Sequence, residues 1–271
     1  MPIIAMTREM GSLGTFIGME AARQLGYEFI RQEIIQEAAR EYHAAEQKLV
    51  EAVEQKPGFL EIMSETFRRH QTFVAAEVYD FALRDRVLIV GRWSTVLLRG
   101  VGHTIRVRVS APLETRVRRV MERLSIGEDQ ALSLIRQSDE GIRARFRHVF
   151  DQEWDNPLLY DLSINTERIS LEAGVAQLKV LANSPEFQPT RQSLQHLTDL
   201  ALAAKVKATL KAEQATTRLN VEVTASGGDI FLQGTVDTKE EHQAAERMAK
   251  GVPGVRRVEN ELIAMKERRL R

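Results

Sequence analysis

The chain has no cysteine, so disulfide bonds and thiolate metal sites are excluded and nothing requires an oxidising compartment. Its six histidines show no ligand spacing such as H-x-x-x-H, and we therefore predict no structural metal site. No apolar run approaches the roughly 18 residues that a membrane-spanning helix needs, and no basic leader precedes an apolar segment at the N-terminus. We expect a soluble protein of the cytoplasm.

An excess of either charge is also missing. The 271 residues include 38 acidic and 38 basic side chains, which argues against a general polyanion binder and predicts no nucleic-acid partner. Lysine is scarce in residues 1–182, which contain 21 arginines and three lysines, whereas residues 183–271 contain eight arginines and six lysines. The planar guanidinium suits bidentate contacts to phosphate or carboxylate, although arginines solvated on helix faces explain most of this excess.

The N-terminal segment predicts a strand, a glycine turn, a helix and a second strand. An apolar run at 3–6 is followed by T-R-E-M-G-S-L-G-T at 7–15, a helical pattern at about 16–25 and a second apolar run at 27–30. Glycines let a backbone approach phosphate oxygens, and the first N–H groups of a helix point at them. No lysine follows the glycines as in G-x-x-x-x-G-K-[ST], however. Phosphate binding and an ordinary glycine turn are equal alternatives on spacing alone.

Strand and helix patterns continue to alternate up to residue 182. Apolar runs predict strands at 87–90, 105–109 and 159–164, and helical spacing predicts helices at 32–55, 59–84, 94–98, 113–124, 128–150 and 170–181. The dipeptide Pro57-Gly58 is predicted to end the first of these helices. Because the run at 105–109 alternates as I-R-V-R-V, we expect its strand to lie closer to the sheet edge than the strand at 87–90. The order indicates a parallel sheet, whose ligands bind beyond the carboxyl ends of the strands.

Five segments of the first part stand in a specific order. They are T-R-E-M-G-S-L-G at 7–14, G-R at 91–92, A-P-L-E-T-R-V-R-R at 111–119, R-x-x-D-x-x-x-R at 136–143 and Y-D-L-S-I-N-T at 160–166. In this order and spacing, residues 1–182 resemble the cytidylate kinase-like family, a branch of the nucleoside monophosphate kinases. The resemblance implies an α/β P-loop kinase-like domain with a parallel sheet flanked by helices, a helical insert that holds the acceptor monophosphate, and an arginine-bearing lid. It also implies ATP as the donor, with nucleotide-bound Mg²⁺.

The resemblance assigns one set of residues to the donor nucleotide. The glycines and Ser12 would cradle its phosphates, and Arg8 could supply positive charge. Ser12 or Thr15 could contact the nucleotide-bound magnesium; helix capping is the alternative role of these two side chains. Asn165 would lie near the donor base, with turn hydrogen bonding as its alternative role. The cofactor-binding set is Arg8, Gly11, Ser12, Gly14, Thr15 and Asn165.

A second set is assigned to the acceptor and to catalysis. Arg92 would contact the acceptor phosphate. Arg116, Arg136 and Arg143 would gather around the transferring phosphoryl group, and Asp139 would orient a lid arginine. Phosphoryl transfer needs positioning and positive charge more than covalent help, which agrees with these residue types.

The sequence departs from the family pattern at several of these positions. Gly14 stands where true cytidylate kinases carry the P-loop lysine, Leu13 replaces a glycine, and Thr15 replaces an arginine usual in this branch. Arg31 replaces an aspartate, and Trp93 replaces the aspartate of G-R-D. Lost donors to the β- and γ-phosphates could cost several kcal/mol of transition-state stabilisation. An active nucleoside monophosphate kinase and a catalytically degenerate nucleotide-binding regulatory module therefore both stay open, as does a scaffold without nucleotide affinity.

The second part begins after a linker at 183–192. Its patterns predict the order αββαβ over 193–271, a small α+β fold that buries one face of a sheet under two helices. With I-F-L-Q-G-T-V at 230–236 and G-V-R-R-V-E-N at 254–260, this part resembles a BON domain. The resemblance implies binding to a protein partner or a phospholipid surface rather than catalysis. The basic tail at 266–271 favours a solvated end over a docking patch.

Overall fold

The computed structural model describes residues 1–54 and 64–265. The predicted helix end at Pro57-Gly58, the predicted start of the next helix at Phe59 and the basic tail at 266–271 lie outside these ranges. No described helix combines the length and apolar character required to cross a lipid bilayer.

Five strands of the first part form one parallel sheet in the order β2-β3-β1-β4-β5, as the alternating pattern predicted. The strands are β1 (Ile3–Arg8), β2 (Glu28–Ile30), β3 (Val87–Val90), β4 (Thr104–Ser110) and β5 (Leu162–Asn165). The central strand β1 pairs with β3 on one side and β4 on the other, so its carboxyl end opens at the middle of the sheet.

Helices cover both faces of this sheet. They are α1 (Gly14–Leu25), α2 (Glu33–Glu41), α3 (Glu46–Glu54), α4 (Glu65–Leu83), α5 (Ser94–Leu97), α6 (Leu113–Leu124), α7 (Glu128–Phe150) and α8 (Leu171–Ala182). Side chains alternate across a strand, and here both faces are buried: Ile3 packs towards α2 and α4, whereas Ile4 packs towards α1 and α8. This double burial explains why the strands read as continuous apolar runs.

The position predicted for β4 is wrong. It lies one strand in from the edge, as β3 does, because β5 continues the sheet beyond it. The alternating arginines are accommodated by carboxylates rather than by an exposed edge. Arg106 pairs with Asp161 at 2.6 Å, and Arg108 pairs with Glu9 and Asp155.

The helix predicted over 32–55 is two helices instead of one. Helix α2 ends at Glu41 and α3 begins at Glu46, with His43 between them at φ 49°. Tyr42 stacks on Phe73 of α4 with ring centroids 4.4 Å apart, so the chain turns where this aromatic contact holds it.

The second part has the predicted αββαβ order. Its elements are α9 (Arg191–Ala212), β6 (Val221–Ser226), β7 (Asp229–Val236), α10 (Lys239–Lys250) and β8 (Arg257–Ala264). Strand β7 is central, antiparallel to β6 and parallel to β8, and α9 and α10 pack on one face of this sheet.

Helix α9 belongs to two hydrophobic cores. Leu197 and Ala208 pack into the core that contains α4 and the first sheet, whereas Val206 and Leu210 pack into the core of the second sheet. The boundaries at 182 and 193 stay predictions, but the two parts share this helix.

Candidate active site

The loop between β1 and α1 packs too closely for side chains at its glycines. Gly11 has φ +81°, and a Cβ there would lie 2.8 Å from the carbonyl oxygen of Arg116. A Cβ at Gly14 would lie 2.5 Å from Cβ of Arg8. Leu13, at φ 62°, is the N-cap of α1, and its side chain makes no capping hydrogen bond. The first N–H groups of α1 therefore have no intrahelical acceptor and no side-chain cap, which suits them to an anion.

A cavity of about 490 Å³ opens at this helix terminus. Its wall includes the loop from Met10 to Phe16 apart from Ser12, and no acidic residue lies in the first turn of α1. The charged side chains that line it are Arg8, Glu9, Arg31, Arg92, Arg119, Glu122 and Arg123. Among the described residues, five arginines against two glutamates make the cavity electropositive, as a polyphosphate site requires.

A second, smaller cavity of about 180 Å³ lies between the end of β3 and helices α2, α3 and α4. It shares Arg8, Arg31 and Arg92 with the larger cavity. Its apolar wall is formed by Ile34, Ile35, Val50, Val53, Val74 and Val78. The walls of the two cavities thus have three arginine residues in common. The larger cavity is electropositive, and much of the wall of the smaller one is apolar.

Among the predicted catalytic residues, Arg116 and Asp139 form a buried ion pair. Nη1 of Arg116 lies 2.9 and 3.2 Å from the two carboxylate oxygens of Asp139, and its Nε donates to the carbonyl of Ala111 at 3.0 Å. Glu9 approaches the same guanidinium at 3.3 Å. Burial raises the pKa of Asp139, and the charge and hydrogen bond of Arg116 oppose that shift. The pair ties α6 to α7.

The other two predicted catalytic arginines lie elsewhere on α7. Arg143 pairs with Asp155 at 2.9 Å, and Arg136 is exposed and lines neither cavity. The expected partner of Asp139 was a lid arginine, and the structure pairs it with Arg116 of α6. Arg143 follows Asp139 by one turn of α7, and its charge lowers the pKa of Asp139. Arg116, Asp139 and Arg143 therefore lie in one charge network, whereas Arg136 is exposed.

Four of the six predicted cofactor-binding residues line the larger cavity. Arg8, Gly11, Gly14 and Thr15 line the larger cavity, and Nε of Arg8 donates to Oγ1 of Thr15 at 3.3 Å.

Two members of that set do not line the cavity. Ser12 is fully buried, and within the described part of the chain its hydroxyl has no hydrogen-bond partner. Asn165 accepts a hydrogen bond from the N–H of Glu167 at 3.0 Å, the turn role considered as its alternative. The backbone around Ser12 can still contribute, because its carbonyl accepts from Thr166 at 2.9 Å and fixes the loop.

Arg119 is a cavity residue that the sequence did not single out. Its guanidinium donates to the carbonyl of Gly11 at 3.4 Å and to Oγ1 and the carbonyl of Thr166 at 2.9 and 2.7 Å. Burial lowers its pKa. Arg119 therefore braces the glycine loop against the loop after β5. Its position three residues after Arg116, on the same face of α6, is a signal that could have identified it.

The charge network also includes Glu9, which follows β1 directly. It accepts from Arg108 at 3.0 Å and from the N–H of Ala111 at 3.2 Å, and lies against Arg116.

Within the ranges described, no three histidine, aspartate or glutamate side chains are grouped so that they could hold a metal ion.

Models of known families match both parts of the chain. The model of the cytidylate kinase-like family matches residues 3–168, and the BON domain model matches residues 198–265. Among solved structures, a protein from Eubacterium ventriosum ATCC 27560 superposes with a TM-score of 0.53 and 19% identity, covering 68% of this chain and 99% of that one. At this identity the superposition shows the fold alone.

Curated relatives match each part separately. Cytidylate kinase of Staphylothermus marinus is 30% identical over 96 residues, which cover 35% of this chain and 52% of that protein. Cytidylate kinase of Methanocaldococcus jannaschii is 26% identical over 95 residues, with coverages of 34% and 53%. Osmotically-inducible protein Y of Escherichia coli K12 is 38% identical over 64 residues, with coverages of 24% and 32%. The chain thus spans about half the length of these kinases and about a third of the third protein.

Proposed function

The chain belongs to the cytidylate kinase-like family, and from that premise we propose that it binds ATP at the N-terminus of α1 and transfers the γ-phosphoryl group to a nucleoside monophosphate. The observation that carries this proposal is that the walls of the two cavities have Arg8, Arg31 and Arg92 in common. A phosphotransferase must hold two phosphates against each other, and positive charge at the junction offsets their repulsion.

The larger cavity suits the donor. The N–H groups of the first turn of α1 and the surrounding guanidinium groups would hold the triphosphate, while Thr15 at the cavity wall could contact the magnesium that accompanies the nucleotide. Arg119 would keep the glycine loop in place beneath it.

The smaller cavity suits the acceptor. Arg92 would contact its phosphate, and the apolar wall between α2, α3 and α4 would receive its nucleoside. In the reaction, an oxygen of the acceptor phosphate attacks the γ-phosphorus, the bond to the bridging oxygen breaks, and ADP leaves. Arg8, Arg31 and Arg92 would stabilise the charge that develops on the transferring group.

Two arginines would act less directly. Arg116 holds Glu9 and Asp139 and is a positioning residue in this arrangement. Arg143, 43% exposed and paired with Asp155, would reach the phosphates only if α7 closes over the cavity.

We propose that the reaction takes place in the cytoplasm.

A second function has a specific observation in its favour. Arg116 and Arg143 are both held by carboxylates, and no lysine lines either cavity among the described residues. A site of this kind could bind nucleotide without transferring phosphate. The chain would then be a regulatory module whose BON domain docks a protein partner or a phospholipid surface.

The test is titration calorimetry of the full chain with ATP and magnesium, followed by a panel of nucleoside monophosphates assayed for ADP release. We expect binding and turnover, and an Arg143→Ala variant should lose at least about a hundredfold in kcat with ATP affinity changed little. Arg147→Ala is the matched control, since Arg147 lies on the same helix in an exposed pair with Glu153. It should keep wild-type turnover.

Each other result has a defined meaning. Binding without turnover by the wild-type chain would favour the regulatory module. Equal turnover by Arg143→Ala and wild type would contradict the lid assignment. An absence of ATP binding would contradict both functions.

A further inference from the structure

A third cavity, of about 440 Å³, lies between helix α4 and the second part of the chain. Its walls come from α4, from α9, from the turn at Gly227 and Gly228, and from the loop at Pro253 and Gly254. Within residues 1–54 and 64–265, it shares no lining residue with the two cavities of the candidate active site. Any ligand bound there would be separate from the nucleotides proposed above.

A buried carboxyl group lines this cavity. Glu77 of α4 is only 5% exposed, yet its carboxyl forms no ion pair or hydrogen bond within the described part of the chain. An unpaired carboxylate is costly to bury, and such groups in folded proteins call for an explanation. A group of opposite charge supplied from outside the chain would remove that cost.

Acidic neighbours favour the protonated form of Glu77. Burial, together with the charges of Asp80, Glu37 and Glu41, raises the pKa of Glu77 to about 7. Lys205 on α9 opposes this shift weakly, and no ion pair joins it to Glu77 among the described contacts.

The remaining polar groups at the cavity form no ion pair with Glu77 among the described contacts. The guanidinium of Arg256, which also lines the cavity, lies 3.6 Å from the carboxylate of Asp229. Tyr42 follows α2 and contributes a phenol whose pKa burial raises, so it stays neutral. Lys205 and Arg256 line the cavity together with Asp80 and Glu77, and Asp80 lies 3.8 Å from Arg84. Glu77 is thus a lining carboxyl without an ion pair within the described part of the chain.

We propose that this cavity binds an organic cation, a primary ammonium group carried on a short aliphatic chain. The ammonium lies between Glu77 and Asp80, where its three N–H donors meet carboxylate oxygens, and the aliphatic chain lies against Ala201, Leu202 and Pro253. A bare metal ion fits less well, since the described side chains offer no group of three metal ligands and much of the wall is apolar.

The experiment uses the full chain and three six-carbon probes that differ only in their end group: hexylamine, 1-hexanol and hexanoate. Titration calorimetry at neutral pH should show hexylamine binding at least about tenfold more tightly than either of the others, the margin expected for a charge-assisted contact. Comparable affinities for the three probes, or no binding of hexylamine up to about 10 mM, would overturn the proposal.

Two further measurements locate the site. Because hexylamine stays protonated, its affinity should rise about tenfold from about pH 6 to about pH 8, as Glu77 ionises. Glu77→Gln should weaken hexylamine binding by at least about tenfold and abolish this pH dependence. Glu186→Gln, at an exposed position in the segment before α9, is the matched control and should bind as the wild type does. Unchanged affinity in Glu77→Gln, or a flat pH profile in the wild type, would overturn the proposal.

Discussion

Glu77 shows how one buried side chain can set the pH dependence of stability. Its pKa is about 7 in the folded chain and 4.5 in the reference state. The folded form therefore keeps a proton that the unfolded form has lost, so the stabilisation is complete below about pH 4.5 and is lost as pH rises to about 7. We expect the free energy of unfolding to fall by about 3 kcal/mol over this interval from Glu77 alone. Urea unfolding at a series of pH values measures it.

The substitution Glu77→Gln should remove that part of the pH dependence. Glu186→Gln, which alters an exposed glutamate, should leave it as in the wild type. If Glu77→Gln retained the wild-type slope between about pH 5 and about pH 7, the assignment of the raised pKa to Glu77 would be incorrect.

Some residues of the candidate site have a local signal in the sequence, whereas others depend on distant contacts. Gly11 lies in the loop after β1, Gly14 begins α1 and Arg92 lies in the loop after β3, so the order of the elements indicates that they line the cavity. The burial of Ser12 depends on the loop after β5, far away in sequence, which supplies Thr166. Contacts between distant segments have no local signal. The roles of all these residues stay predictions.

The unit formed by β1, its glycine loop and α1 depends on the absence of a side chain at Gly14. A Gly14→Ala methyl would lie 2.5 Å from Cβ of Arg8 and 3.0 Å from Cβ of Val109, atoms fixed by the sheet. We expect a loss of about 1–3 kcal/mol in the free energy of unfolding. ATP affinity should fall about tenfold as the loop shifts. Urea unfolding and calorimetry measure the two effects.

Gly127→Ala is the control for this substitution. Gly127 also lies at the start of a helix, at φ −72°, and a Cβ there would meet no atom of the described residues within 4 Å. Its cost should stay below about 1 kcal/mol, with no change in ATP affinity. Equal effects of the two substitutions would show that close packing at Gly14 is not what holds the loop.

The sequence predicted some elements to the residue and misjudged others. Helices α6 and α7 begin and end as predicted, because Pro112 precedes the first and Gly127 separates the two. The break between α2 and α3 was missed, since His43 adopts φ 49° within a run of helix-forming residues. What favours that break is the stacking of Tyr42 on Phe73, a tertiary contact that local propensity does not contain.

On the scale of the whole molecule, the shared helix α9 should make the two parts unfold together. Leu210, 2% exposed, packs in the second core, whereas both tryptophans, Trp93 and Trp154, lie in the first part. We expect Leu210→Ala to lower the free energy of unfolding by about 2–5 kcal/mol. The midpoint followed by tryptophan fluorescence should fall together with the midpoint followed by circular dichroism, although neither tryptophan belongs to the core in which Leu210 packs.

The control for this experiment is on the same helix. Leu194 is 48% exposed, so Leu194→Ala should shift neither midpoint by a comparable amount. A fluorescence midpoint that stays at its wild-type value in Leu210→Ala, while circular dichroism shows a separate earlier transition, would show that the parts unfold independently.

The double packing of α9 also bears on how such a chain can be inherited. A recombination event that joined a different C-terminal module at the 183–192 segment would remove Leu197 and Ala208 from the first core and expose the surface of α4 beneath them. Exchanges that keep this helix with the kinase-like part, or replace it with one of the same two-faced pattern, would preserve the packing on α4. We therefore expect the two modules to be inherited together.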